Sequence, residues 1–566
     1  MRKALLIIML ASACAAQATV RYVPDDFPDL QAALDAASSG DTVICRPGTY
    51  NGSFVIPPIH ITLGSEYVFT ADTALISTTV IQPGAEDPER RCLTADSAAS
   101  RDTSLTIVGL TVTLGRATED NVTERGGGLF VQRRNVELRD CIFSTNRGFY
   151  GGAIYAENCS LKVDRCEFLD NDSPDNGRNL CSIRSDVVFD SCDFGFHGGE
   201  FSGWGSRSSI GASSGELELR DCRIHDVGHG GQACAFIDHA LGGSGPWEIR
   251  IFGCAFTNNR LIQLYSSTGS AANTFVLDSC VFADNEIGFG MFRGWEHSGM
   301  ARATLTRNWF ENNVPIPNYG MQGLIVLDLI PSRCVVEENY FDSNQGYDFA
   351  CVGISNAGHP QYRRVWRNYF VNNSSTPEVD GGSKTVALSQ VFPGVIEYNA
   401  FIGNQGVAVY TSPWSDSTGY ALNNYWGSTS GPFETLRNPQ GQGDTADSRT
   451  RFDPWLESEE DIPDTTILPN AADDWHWPVP STWYIANVYP NPFNSQFHVE
   501  LQGMAGAGFE IRLFDLLGRE VALLHAGRTL PGNFSFNAPA GLGAGVYFLR
   551  AQDRYYGETK KVLYLK

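Results

Sequence analysis

The chain has 566 residues, a net charge of −23 and 42% apolar residues, with 58 Gly, 33 Phe and 14 Cys. It is too long for one ordinary compact domain and too apolar for a disordered chain. Its acidity argues against a nucleic-acid partner, because phosphate binding needs a basic surface, and its cysteines are too dilute for a small disulfide scaffold.

Residues 1–18 read as an export signal. Arg2 and Lys3 supply positive charge, Leu5 through Leu10 form a short apolar core, and Ala16-Gln17-Ala18 offers small residues for cleavage after Ala18. The apolar run is too short to span a bilayer, and no later segment is long and apolar enough to cross one. A lipoprotein reading at Cys14 is the alternative, but Ala11 stands three places before it, where such sites usually carry Leu. Cleavage after Ala18 leaves thirteen cysteines, an odd number that cannot all pair within one chain.

A short amphipathic helix is expected over 26–37. Asp26 is placed to cap it, Pro28 suits its first turn, and Leu30, Ala33, Leu34 and Ala37 share one face. The stretch from Gly40 through Tyr50 follows it.

From residue 138 onward the chain repeats itself. Cys141, Cys166, Cys192, Cys222, Cys254 and Cys280 each follow an alternating apolar run, and all but Cys222 have Phe two places on; Ile224 stands there instead. Asn308, Asn339, Asn368, Asn399 and Asn424 continue the series at a mean period of about 28 residues. A second ladder lies five residues later, at Asn146, Asn171, Asn259, Asn285, Asn313, Asn344, Asn373 and Asn404.

Alternation turns one set of side chains inward and the other outward. Short strands separated by turns make one coil, which cannot bury its apolar face alone; stacked coils can. In-register stacking would place the Phe residues in one column. Asn suits the corners because it tolerates left-handed backbone and bonds locally, and stacked amides can bond along the column. Cys fills the same corner as a small apolar side chain. A metal or disulfide array is the rival reading. The cysteines lack the close pairs of zinc sites, and parallel side-chain directions suit a disulfide poorly. Cys159 and Cys181 lie off the column and are better placed to pair.

One stretch breaks the pattern. Phe194-Gly195-Phe196-His197-Gly198-Gly199 and His225-Asp226-Val227-Gly228-His229-Gly230-Gly231 replace the Asn turn, and Asp238-His239 follow. Stacking would bring His197 and His225 to one edge. His197, His225, Asp226, His229, Asp238 and His239 are therefore the candidate site, as an acid/base pair or a metal site. The competing reading is a pair of longer turns with polar histidines. Trp204, Trp247, Trp295 and Trp309 are candidate sugar-stacking faces, although Trp309 could also pack on its neighbours. Asp140, Asp164, Asp190, Asp221 and Asp278 recur beside the corners. Such a row is ordinarily a solvated face. It could hold Ca²⁺ through oxygen ligands, but no compact ligand motif is present and no other cofactor is evident.

Asn423-Asn424-Tyr425-Trp426-Gly427, Gly431-Pro432 and Phe452-Asp453-Pro454-Trp455-Leu456 close this part of the chain. Residues 457–483 form an acidic, Pro-containing linker. Residues 484–566 alternate as short strands with Gly/Pro/Asn turns, the pattern of a small immunoglobulin-like β-sandwich.

The repeats, the helix and the two flanking stretches together resemble a right-handed parallel β-helix of the pectin-lyase-like class, here over residues 19–456; the resemblance makes Gly40 through Tyr50 its first coil, the helix the cover of its open end, and 423–456 its last coils. The tail resembles the type A C-terminal sorting domain of the type IX secretion system. The Pro-Asn-Pro entrance at 490–492, Asp515-x-x-Gly518-Arg519-x-Val521, Gly545-Val546-Tyr547 and the Lys-rich last strand match it in order. A plain adhesion module is the alternative for this segment. The resemblance implies passage through the periplasm, export to the outer cell surface, partnership with the secretion machinery and removal of the tail. β-Helix relatives often cleave acidic polysaccharides, by lyases that hold calcium and use a basic residue or by hydrolases with paired Asp residues. No such residue carries over to this chain. The expectation is a secreted or cell-surface protein that binds polysaccharide or acts as an adhesin; the alternative is a polysaccharide lyase or glycoside hydrolase.

Overall fold

The computed structural model describes residues 18–84, 91–97, 103–117, 125–174, 177–195, 208–227, 234–239, 247–267, 273–287, 292–294, 300–316, 324–328, 333–346, 351–355, 363–375, 385–390, 395–411, 418–463, 483–503, 510–515, 519–526, 532–539, 541–552 and 557–565. Residues 1–17 of the export signal fall outside these residues, as do His197 and His229.

Each coil contributes one short strand to each of three parallel sheets, giving a right-handed parallel β-helix. Among the described residues the first sheet has 14 strands and the second has 13. The third has 11 and is continued by a sheet of six. Register is strict. In the first sheet Val136, Leu161, Val187 and Leu217 stand opposite one another, and all are buried. In the third, Leu93, Leu129, Ile154, Leu180, Ile210 and Ile237 form an equivalent inward row.

The Phe column forms as expected along the second sheet. Phe256, Phe282, Phe310, Phe341, Phe370 and Phe401 stack with centroids 4.5–5.2 Å apart. Burying each such ring is worth about 1.5–3 kcal/mol. Where Ile224 interrupts the column, Phe236 enters edge-on between Phe194 and Phe256, at 5.8 and 5.5 Å. Trp426 closes the stack on Phe401 at 4.8 Å.

The corners divide two tasks that the repeat pattern had merged. Left-handed backbone falls one residue before the ladder residue, at Asp140, Arg165, Ser191, Asp221, Ser279, Arg307, Glu338, Arg367 and Tyr398, with φ between 49° and 58°. The ladder residue itself is free to bond along the column. Asn308 donates its backbone N–H and its Nδ2 to Asn339 Oδ1, at 3.0 and 2.8 Å. Its Nδ2 also reaches Leu277 O at 3.0 Å.

The twelve cysteines whose side chains are described are buried thiols. The expected pairing of Cys159 with Cys181 does not form. Cys159 sits at a turn with its sulfur 3.5 Å from Ser185 Oγ. Cys181 lies within the strand Leu180–Ile183, between Tyr155 and Gly211 in register.

The first helix, α1, spans Leu30–Asp35 and buries Leu30, Ala33 and Leu34 over the open end of the core. Its cap is Asp29, not Asp26. Asp29 has extended backbone and its carboxylate accepts from Ala32 N at 2.8 Å, while Asp26 accepts from Tyr22 N.

The C-terminal module has its own core, built on Phe493, Phe497, Val499, Ile511, Leu513, Leu549 and Val562. Among the described residues its antiparallel strands form sheets of three and four, which fit a small β-sandwich.

Candidate functional site

The outer face of the second sheet carries two rows of side chains that include His225. The residue just after each Cys or Asn corner points outward, as does the residue two places further. The first row runs Glu167, Asp193, Arg223, Ala255, Val281, Trp309, Tyr340, Tyr369, Ala400. The second runs Leu169, Gly195, His225, Thr257, Ala283, Glu311, Asp342, Val371, Ile402.

His225 ends the strand Arg223–His225, opposite Gly195 and Thr257. Its Nε2 lies 2.7 Å from Asp193 Oδ1 and its Nδ1 lies 2.9 Å from Asp226 Oδ2. Two carboxylates at two ring nitrogens favour the imidazolium, in which both nitrogens donate. The hydrogen bond to Asp193 accordingly raises the pKa of His225 above its ordinary value against the opposing effect of burial. Burial, then the charge of Asp193, raises the Glu167 carboxyl.

The chain makes room for this cluster. A Cβ on Gly195 would lie 3.0 Å from His225 Cε1 and 3.1 Å from Leu169 Cδ2. Asp226 takes the left-handed turn with φ 57°, and Asn258 of the next coil donates to its carboxylate. Val227 stands where other coils have the ladder Asn. Its N–H is accepted by Asn259 Oδ1 at 3.0 Å, so the ladder survives from one side.

Of the residues singled out from sequence, His225 and Asp226 come together here. The backbone of Asp238 and His239 belongs to the third sheet, where Asp238 is in register with Gly211 and Ser266. Asp193 and Glu167 were missed as partners. Their signal is positional: both directly follow a corner Cys, so reading that column down the repeats gives the outward row.

Beyond His225 the face changes character. Ala255 and Val281 are buried and Thr257 and Ala283 are partly exposed, giving a low floor of small side chains. Trp309 then stacks on Tyr340 at 4.0 Å with its Nε1 3.1 Å from Glu311 Oε2. Trp204 and Trp295 lie outside the described residues, and Trp247 is placed only as the start of a strand.

Several acidic corner residues form ion pairs between coils. Arg165 reaches Asp140 at 2.8 Å and Asp164 at 2.6 Å, and Arg307 pairs with Asp278. Among the described residues no three His, Cys, Asp or Glu side chains converge as a metal site. No described helix is long and apolar enough to cross a membrane.

Residues 487–564 match the secretion system C-terminal sorting domain. A solved pectin methylesterase from Aspergillus niger is similar over 54% of this chain and 88% of its own, at 15% identity and a TM-score of 0.30. A family 28 exopolygalacturonase from Yersinia enterocolitica is similar over 72% and 78%, at 10% identity and a TM-score of 0.27. No curated protein matches the chain.

Proposed function

We propose that this chain, which its sorting tail directs through type IX secretion to the cell surface or beyond, binds a carbohydrate chain along the outer face of the second sheet. The single observation that carries the reading is the low floor at Ala255, Thr257, Val281 and Ala283, set between the charged cluster at His225 and the aromatic pair Trp309–Tyr340. Three strand spacings separate His225 from Glu311, about 14 Å at the usual distance between strands. One unit of a linear sugar polymer is about as long as one strand spacing, so this span holds about three units. The carboxylates suit its hydroxyls, and aromatic rings suit its C–H faces. The net charge of −23 disfavours a polyanion and favours a neutral or amine-bearing chain.

Binding rather than cleavage fits the state of His225, whose two nitrogens are both held by carboxylates. The observation on the enzymatic side is Glu167, whose raised carboxyl beside Asp193 offers a proton donor near a carboxylate.

The test is a panel of neutral, amine-bearing and acidic polysaccharides, with and without Ca²⁺. The expected result is saturable binding to at least one. Ala283→Trp, which fills the floor, should weaken that binding at least tenfold, the equivalent of about 1.4 kcal/mol. New reducing or unsaturated ends would establish cleavage, and loss of that activity in Glu167→Gln would then assign the acid.

A further inference from the structure

After Leu456 the chain doubles back onto the outer face. Leu456 N donates to Asn424 O at 3.0 Å. Ser458 and Asp461 close a capping box around the single turn Glu459–Asp461. Ile462, 2% exposed, then packs on Tyr369 and Ala400, with Tyr340, Val371 and Ile402 around it. These belong to the same outward rows as Trp309 and His225. An acidic surface segment therefore lays one apolar anchor across the face.

The solenoid core does not need this cover. Its end is already closed by Trp426, Phe452 and Trp455, whose rings pack in sequence at 6.5 and 6.3 Å. Ile462 joins a separate cluster outside the coil. Glu459 faces the same ledge: burial raises its carboxyl, and burial followed by the charge of Glu459 raises the Tyr369 phenol.

We infer that residues 456–463 are a stop that ends the binding face and sets how many sugar units lie along it. This rests on the carbohydrate reading above. A chain laid from His225 passes Glu311 and Asp342 and then meets Ile462. With the stop lifted, the coils at Tyr369, Ala400 and Tyr425 would extend the face by about 14 Å at the usual strand spacing.

The test uses the full chain as wild type, Ile462→Asp and Ile462→Leu. The probes are β-1,4-linked glucose, xylose and N-acetylglucosamine oligosaccharides of increasing length, followed by calorimetry. Limited proteolysis within 457–463 reports whether the segment has lifted. The expected result is that affinity stops rising at the same length for wild type and Ile462→Leu. In Ile462→Asp the segment becomes cleavable and affinity keeps rising over about three more units, one per uncovered coil. An unchanged plateau in Ile462→Asp with the segment cleavable overturns the stop and leaves the carbohydrate reading standing. A segment that stays uncleaved in Ile462→Asp overturns Ile462 as its anchor. No binding of any probe by any of the three proteins overturns the carbohydrate reading, and the stop with it.

Discussion

The solenoid builds the same corner twice, with thiols over residues 141–280 and with amides over residues 308–424. In the amide half each Asn from Asn339 to Asn424 accepts two bonds from the coil before it and donates to two backbone carbonyls. Asn339, for example, accepts from Asn308 N and Nδ2 and donates to Leu305 O and Glu337 O at 2.9 and 3.1 Å. In the thiol half the links are longer and weaker. Cys222 N meets Cys254 Sγ at 3.4 Å, and Cys222 Sγ meets Phe189 O at 3.7 Å. Burial holds these thiols well above the usual pKa, so they are neutral and inert. Both chemistries satisfy the corner, but only the amides tie each coil strongly to the next. The departures from the repeat, at Gly195, Ile224 and Val227, all fall in the thiol half, next to the His225 cluster. The more weakly laddered coils are the ones that carry the charged site.

The sharpest break of this comparison is Asn339→Ala. It leaves two donors of Asn308 buried without an acceptor, at about 1–3 kcal/mol each, so the full loss should be about 2–6 kcal/mol. The matching change in the other half, Cys254→Ala, leaves only one donor, Cys222 N, without its sulfur acceptor and should cost about half as much, about 1–3 kcal/mol. Urea unfolding of the two variants measures the difference, and equal losses would erase the distinction between the halves.

Gly195→Ala is next in size. The added Cβ pushes the His225 ring away from Asp193, which should cost about 1 kcal/mol and weaken carbohydrate binding as well. A variant that binds and unfolds like wild type would show that the ring can yield without loss.

A smaller effect separates by pH. The folded pKa of His225 is raised above its unfolded value, so its contribution is complete below the ordinary histidine value of about 6.5 and fades as pH rises through the raised value. The stability gap between wild type and His225→Gln should be at most about 1 kcal/mol for such a partly exposed pair, largest in acid and absent in alkali. A gap that grows with pH would contradict the assigned imidazolium. Smallest of all, Arg165→Ala at the Asp140–Asp164 corner should cost well under about 1 kcal/mol and less still in high salt.

The repeat was legible because stacking imposes one chemical type on each column. The Phe column, the two Asn ladders and the capping helix could all be read from spacing alone. Contacts made between coils were harder. His225 and Asp226 are neighbours in sequence, but Asp193 lies one coil earlier and is found only once the register is known. Phe236 fills the gap at Ile224 from another sheet, which no one-column reading shows. The cap fell on Asp29 because capping depends on the backbone angle at one residue, not on which acid comes first. Ile462 was hidden by composition: a single apolar side chain in an acidic run reads as solvated until the face it covers is known.

A ligand on the outer face of the second sheet shields that face from solvent. Oxidative footprinting of the full chain, with and without a polysaccharide that binds it, tests this most directly. Trp309, Tyr340 and His225 should be protected, while Leu436, 83% exposed at the far end of the solenoid, stays equally reactive. Protection of Leu436 with Trp309 and His225 unchanged would contradict binding on this face.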